Sequence, residues 1–253
     1  MVEQKRSSMY SFGSGVLLGT RTDIANATPV NFGLVQEVTI EETASIKELT
    51  GQYQRPVAIA RGTIKTTGKA KVARISGLAL ANLFYGVAPS AGQVATSFAE
   101  AASVPAAAPY AVTVANATNF VDDQGVLYAA TGLPLTKVAS APSPGQYSIS
   151  SGVVTFNAAD AGTAVLISYT YTANNSGQKF TVSNQLLGTT PTFQAVFYTT
   201  FQGQALSLKL NNCTSSKLSF QTKLEDFVMP EFDFSCFADP AGNVMTWSFA
   251  EAS

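Results

Sequence analysis

Histidine is absent from the 253-residue chain, which removes the commonest general base and metal ligand near neutral pH. A hydrolytic triad would then need a lysine or carboxylate base beside its nucleophile, and no local motif provides one. The two cysteines, Cys213 and Cys236, form no CxxC pair and match no zinc-site spacing. Two buried thiols are the favoured interpretation, with a disulfide as the alternative. We therefore expect no catalytic residues, no cofactor and no metal site.

Charged residues are scarce as well. They make up 12% of the chain, about half of the roughly 25% that is usual in soluble domains, and their formal sum is -1. The average field of the molecule will not attract nucleic acid or an anionic membrane. Apolar runs of the length of a membrane helix are missing, and the N-terminal segment lacks the apolar stretch of a secretory signal. We expect no membrane contact and surfaces that become covered.

Alternation with a period of two residues recurs along the chain and predicts an all-β sandwich or barrel. In PEFDFSCFAD (230–239), for example, Phe232 and Phe234 oppose Glu231 and Asp233, which form an acidic strand face. The segment SGLALANLFYG (76–86) has helical spacing instead, with Ser76 suited to the N-cap and Gly86 to the position after the last turn. We expect one short flanking α-helix that packs through Leu78, Leu80, Leu83 and Phe84.

One predicted strand, RGTIKTTGKAKVARI (61–75), is long and basic on one side. Alternation gives it one face with Arg61, Lys65, Lys69 and Lys71, and a second face of small and apolar residues. Its charges are not interleaved with aromatic side chains, so it offers no platform for stacking bases. A solvated face is one interpretation, and pairing across a strand or subunit boundary is the other. The candidate acidic partners are Glu37, Glu41, Glu42, Glu48, Glu231 and Asp233.

The segment TASIKELTGQYQRP (43–56) is predicted to be a long connecting loop, because it is mostly polar and ends in a proline. Loops of this length are usually functional or disordered. Ile46, Leu49 and Tyr53 would anchor it by docking onto another surface.

The sequence between 91 and 176 differs in composition from the rest. Residues 89–109 have the Ala, Ser and Pro content of a linker, and residues 110–172 alternate short strands with glycine turns. Asn174-Asn175-Ser176-Gly177 would close this region with turn residues, and Asp122-Asp123 is interpreted as part of a turn. We predict a small β-sandwich module, 91–176, inserted into a discontinuous β domain formed by 1–90 and 177–253.

Outside that module, the chain has two halves with a defined order of elements. The first half carries an alternating acidic strand (LVQEVTIEE), KELTGQYQRPVAIARG, the basic strand IKTTGKAKVARISG and the short helix LALANLFYG. The second half carries VSNQLLGTTPTFQAVFY, LKLNNCTSSKLSF and KLEDFVMPEFDFSCFAD. This order resembles that of the major tail tube proteins of tailed bacteriophages, and the resemblance covers about Ser7 to Tyr85 and Gly177 to Ser253.

The resemblance implies a non-enzymatic structural protein of the virion, with a tail-tube-type β-sandwich flanked by one helix. Subunits of that family form hexameric rings whose inner sheets join into a barrel, and the rings stack into a tube that conducts double-stranded DNA without sequence-specific binding. Partners would be further copies and other tail proteins, namely the tape measure, the terminator and the baseplate or tip. Assembly would take place in the host cytoplasm. The expected subunit or ring interface comprises Glu37, Glu41, Ile46, Leu49, Tyr53, Arg61, Lys65, Lys69 and Lys71.

Because such lumens are commonly acidic, we expect carboxylates of an adjacent strand or subunit to neutralise Lys65, Lys69 and Lys71 at least in part. The inserted module is expected on the tube exterior, since material facing inward would block the channel. Two other functions remain possible from the sequence. One is another all-β virion or surface-binding protein, such as a baseplate component or adhesin, and the other is a carbohydrate-active β protein that uses carboxylates.

Overall fold

The computed structural model describes residues 13–74, 76–222 and 224–250. It is mostly β, with 57% strand and 6% helix, which confirms the predicted all-β class with one short helix. The chain divides into two compact units. The first unit is formed by the residues up to 89 and from 180 onward, and the second by residues 90–179. The predicted module limits, 91 and 176, lie just inside those of the second unit.

The strands of the described residues are numbered in chain order. They are β1 (Val16–Arg21), β2 (Val30–Asn31), β3 (Val35–Thr50), β4 (Pro56–Val72), β5 (Ser90–Ser103), β6 (Ala111–Thr113), β7 (Phe120–Tyr128), β8 (Thr136–Lys137), β9 (Gln146–Ser150), β10 (Val153–Phe156), β11 (Ala164–Lys179), β12 (Thr192–Phe201), β13 (Gln204–Ser219), β14 (Glu231–Phe237) and β15 (Met245–Phe249).

The first unit is built on one antiparallel sheet with the strand order β2-β1-β12-β13-β14-β4-β3, in which β15 also pairs with β13. In β14 the alternation predicted from the sequence holds, because Phe232 and Phe234 are buried while Glu231 and Asp233 are only half-buried. Four phenylalanine rings meet beneath the sheet with centroid separations of 5.1 to 6.3 Å; they are Phe32, Phe193, Phe232 and Phe234. This cluster is the centre of the first core.

A short helix covers one part of this core. Helix α1 (Gly77–Ala79) continues into a π-helical turn (Leu80–Phe84), and the Ser76 hydroxyl caps it by accepting a hydrogen bond from the Ala79 amide at 3.2 Å. The helix buries Ala79, Ala81 and Leu83. Of the predicted packing residues, Leu83 is fully buried and Phe84 packs against the core, while Leu78 is exposed. The π turn rotates the apolar face away from regular α-helical spacing.

The predicted long loop at 43–56 is wrong. Strand β3 continues to Thr50 and β4 begins at Pro56, so only residues 51–55 connect the two strands. The two strands pair along their whole length, from Val35 opposite Val72 to Thr50 opposite Pro56. Every residue from 45 to 65 is exposed. A strand without a buried face carries no polar–apolar alternation, and this is why the sequence of 43–50 resembles a loop.

The second unit holds two sheets around its own core. One has the order β6-β10-β9-β8 and the other β5-β11-β7, and the buried residues of both form one cluster that includes Val126, Tyr147, Val154 and Ile167. The predicted linker at 89–109 is wrong over most of its length, because β5 pairs with β11. Alanine and serine fit a paired strand whose side chains are only partly covered. The predicted turn at 174–177 is also wrong, since β11 continues through it with a register shift.

Carboxylates link the strands of the second unit through hydrogen bonds. Tyr147 donates its hydroxyl hydrogen to Asp123 at 2.7 Å, and Lys137 lies 3.0 Å from the same carboxylate. Tyr169 donates in the same way to Glu100 at 2.6 Å. Burial and the hydrogen bond to Asp123 raise the pKa of Tyr147 above its ordinary value. Asp123 therefore lies within β7 as a structural acceptor, and the turn predicted at Asp122-Asp123 is wrong.

The two ends of the second unit lie directly opposite each other, because Ser90 pairs with Lys179. The residues of the first core all lie outside 90–179. We therefore expect that replacing residues 90–179 with a short Gly-Ser linker leaves the first unit folded. Cooperative thermal unfolding, followed by circular dichroism, measures this. A shortened chain without a cooperative transition would contradict it.

Candidate assembly surface

A ladder of alternating charges crosses four adjacent strands of the first unit. Glu37 on β3, Lys71 on β4 and Glu231 on β14 are direct cross-strand neighbours. In the next row, Lys69 on β4 faces Asp233 on β14, and Asp233 in turn faces Lys217 on β13. Opposite charges on directly facing strand positions stabilise a sheet. We call these six residues the charge ladder: Glu37, Lys69, Lys71, Lys217, Glu231 and Asp233.

The ladder contains close ion pairs. The Lys71 ammonium lies 2.6 Å from Glu37 Oε2, and the Lys69 ammonium lies 2.7 Å from Glu231 Oε2. The hydrogen bond from Lys71 holds the pKa of Glu37 below its ordinary value of 4.5. The bond between Lys69 and Glu231 lowers the pKa of Glu231 and raises that of Lys69. Three cations and three carboxylates thus share one face, which is charge-balanced and not basic.

The predicted interface lysines have different surroundings. Carboxylates of the same chain neutralise Lys69 and Lys71. Lys65 lies on the same face of β4, in the lining of an open polar groove of about 350 Å³ that also contains threonine, serine and charged side chains. Within 13–74, 76–222 and 224–250, no ion pair involves Lys65. Glu41, which lines the same groove, is exposed.

Arg61 does not share the lysine face, contrary to the prediction. The register between β3 and β4 shifts between Ala44 and Ile46, where β4 holds one extra residue. Such a bulge moves all following side chains to the opposite face. Arg61 therefore lies opposite Ile46, and its guanidinium is 3.4 Å from Glu42 Oε1.

The distal part of the β3–β4 hairpin forms a two-stranded ribbon, residues 45–65. It extends about 25 Å past Thr66, the nearest buried residue of β4. One face carries four aliphatic side chains that are 51 to 64% exposed: Ile46, Val57, Ile59 and Ile64. Leu49 lies on the opposite face and Tyr53 in the connection, and both are also exposed. An isolated two-stranded hairpin is marginally stable in water, so contact with a covering surface would stabilise this ribbon.

Strand β3 also presents an open edge. In the part of the chain that the structure describes, it pairs with β4 and with no other strand. Monomeric proteins usually shorten, bend or cover such edges, because unpaired backbone groups recruit other chains. A 16-residue edge strand is long for a sheet that ends in solvent. The edge and the ribbon together form the candidate assembly surface.

Several residues of this surface escaped prediction from the sequence. Val57 and Ile59 belong to the apolar run VAIA in front of the basic strand, a pattern that indicates burial and not a binding face. Alternation places Ile64 on the small and apolar face of the basic strand, which does not indicate an interface. In the charge ladder, Lys217 shares a predicted strand face with Ser219 and Gln221, and only the strand register identifies Asp233 as its partner.

Other types of site are not evident in the described residues. No three His, Cys, Asp or Glu side chains among them are grouped closely enough to hold a metal ion. No helix within 13–74, 76–222 and 224–250 has the length and apolarity needed to cross a membrane. No protein-family model matches the chain, and no curated protein matches it.

The charge ladder predicts a pH dependence of stability. Because folding lowers the pKa values of Glu37 and Glu231, both carboxylates add to the free energy of unfolding above about pH 4.5. This stabilisation is lost as the pH falls through their pKa values in the folded state. The raised pKa of Lys69 adds a contribution that is present below pH 10.5 and is lost as the pH rises through its folded pKa. We expect Glu231→Gln to lower the melting temperature near neutral pH and to flatten its decline in acid.

Thermal melts over a pH series measure this effect. Glu48→Gln is the matched control, because Glu48 is exposed on the ribbon and has no ion pair within the described residues. About 1 M salt should narrow the difference between wild type and Glu231→Gln, since the Debye length then falls to about 3 Å. Equal melting curves for both variants at low salt would contradict a stabilising ladder.

Proposed function

We propose that the chain is a structural virion protein of a tailed bacteriophage that assembles into stacked hexameric rings, the tail tube through which DNA enters the host. The proposal combines the resemblance in element order with one structural observation. That observation is the β3–β4 ribbon, which is exposed along residues 45–65. Its aliphatic side chains do not belong to the hydrophobic core of the first unit.

Self-association explains the ribbon and the open edge of β3 together. The four aliphatic side chains are about half exposed, so burying the rest of their surface against a second copy contributes about 1 to 2 kcal/mol each. Pairing of the β3 edge with another copy would satisfy its free backbone groups. A closed ring repeats the same contact at every subunit and leaves no copy with an open edge.

The charge ladder is compatible with a channel for DNA. A basic stripe would hold phosphates by releasing counterions and would impede passage. In this chain Lys69 and Lys71 are neutralised by Glu231 and Glu37, so the ladder presents little net charge. A polar, charge-balanced face would allow DNA to slide without sequence-specific contacts.

The second unit is proposed to lie on the tube exterior, because a compact module of 90 to 179 facing inward would obstruct DNA. Its adjacent chain ends resemble those of inserted domains, which are tolerated where the ends meet at a surface. The tape measure, the terminator and the baseplate or tip proteins are the partners proposed for the assembled tube. The virion tail, built in the host cytoplasm, is the proposed location.

Negative-stain electron microscopy of the purified protein over a concentration series tests this function. We expect six-fold rings and hollow tubes. Monodisperse monomers at every concentration would overturn the proposal. Monomers that bind glycans would favour an adhesin, and a fixed complex with other tail proteins, without self-assembly, would favour a baseplate component.

A further inference from the structure

Cys213 and Cys236 face each other at the centre of the large sheet. They are direct partners in the antiparallel pairing of β13 with β14, and their Sγ atoms lie 3.3 Å apart as free thiols. Directly opposite residues on antiparallel strands have Cα atoms about 4.5 or 5.5 Å apart, and both separations lie within the range of about 4.4 to 6.8 Å that a disulfide spans. The backbone is therefore already arranged for a bond between them.

The surroundings of the two sulfur atoms differ. Cys213 is fully buried, while Cys236 is half-buried. The hydrogen bond from the Cys213 thiol lowers the pKa of Cys236. The same contact, together with burial, raises the pKa of Cys213. Cys236 is therefore the thiol that ionises first and that a small reagent reaches first.

We propose that Cys213 and Cys236 are a redox modification site, at which a low-molecular-weight disulfide such as glutathione disulfide converts the thiol pair into a cross-strand disulfide. The assignment depends on strand register and access and is independent of the proposed function.

The reaction balances with one molecule of oxidant. The Cys236 thiolate attacks one sulfur of glutathione disulfide, forms a mixed disulfide and expels one glutathione thiolate. The Cys213 sulfur then attacks Cys236 Sγ and expels the second glutathione. Two protein thiols are oxidised, one disulfide is reduced to two thiols, and the two protons pass to the released glutathione.

The new bond would join the two halves of the sheet. Cys213 lies on β13 opposite Phe193 of β12, and Cys236 lies on β14 opposite Thr66 of β4. Strand β4 continues into the ribbon. The disulfide would link β13 covalently to β14, the strand that pairs with β4 at the base of the ribbon. It would close a loop from residue 213 to residue 236.

Intact-mass and peptide mass spectrometry of the full chain, exposed to glutathione disulfide without denaturant, test the proposal. After denaturation and alkylation we expect a mass lower by two hydrogens and no alkylated cysteine, against two alkylated cysteines in the reduced protein. Trypsin should yield the peptide 210–217 linked to the peptide 224–253. The oxidised form should melt about 5 to 10 °C higher than the reduced form.

Two variants keep the test decisive. Cys213→Ser should accumulate one glutathione on Cys236, and Cys236→Ser should take up none, because the remaining thiol is buried. Neither should show the oxidation-dependent rise in melting temperature. Two free thiols after oxidation, a stable glutathione adduct on the wild type, or linkage between different chains would each overturn the proposal.

Discussion

Replacing Ile46 and Ile59 together with threonine should strongly raise the concentration needed for ring and tube formation while leaving the melting temperature of the monomer unchanged. Both side chains lie on the aliphatic face of the ribbon and are more than half exposed. Threonine keeps β-branching and strand propensity, so the fold tolerates the change. Each substitution should remove about 2 kcal/mol from a contact with a second copy. The concentration needed for assembly should therefore rise by about 100-fold or more.

Sedimentation velocity over a concentration series measures this threshold. Val94→Thr/Val121→Thr is the matched control, because these valines are 51% and 50% exposed but lie in the second unit. It should assemble as the wild type does. If the ribbon variant also assembles normally, the aliphatic face is not an interface.

Gly68→Ala should cause a large loss of stability in the first unit. Gly68 is buried in β4 directly opposite Phe234 of β14, and a Cβ at Gly68 would overlap the Phe234 ring. That ring is fully buried and is held by Phe193 and Phe232, with centroids at 5.9 and 6.1 Å. Overpacking of this kind costs about 3 kcal/mol, which corresponds to a melting temperature lower by about 10 °C.

Thermal denaturation tests this, with Gly51→Ala as the control. A Cβ at Gly51 meets only Val57 Cγ1, at 3.9 Å, so that variant should melt as the wild type does. Phe234→Leu in the Gly68→Ala background should restore part of the lost stability by making room. A Gly68→Ala protein with unchanged melting would show that Phe234 does not pack on Gly68 as described.

Burial determines which parts of this fold the sequence predicts. In β14, alternation of Phe232 and Phe234 with acidic residues identifies a half-buried strand. In β4, alternation is visible in the burial of residues 66–72 and disappears from 56 to 65, where both faces are exposed. Residues 43–50 lack polar–apolar alternation for the same reason, and the sequence therefore predicts a loop there. Alanine and serine between 90 and 103 likewise gave no periodic signal for β5.

Strand register explains the remaining differences between the predictions from sequence and the structure. The resemblance implies that carboxylates of an adjacent strand or subunit neutralise the lysines of β4, but it does not say which carboxylate faces which lysine. Glu231 and Glu37 are assigned only once β4 is aligned between β14 and β3. The bulge near Ile46 likewise depends on pairing, and it places Arg61 on the face opposite to the lysines. Long-range pairing is not encoded in local alternation.

Hydrogen–deuterium exchange, compared between dissociated subunits and assembled protein, is the most direct test of the claim that identical copies cover the ribbon and the β3 edge. The account predicts strong protection of the amides in residues 35–65 on assembly, with little change in residues 90–179. Assembled particles in which residues 35–65 exchange as fast as in the free subunit would contradict it.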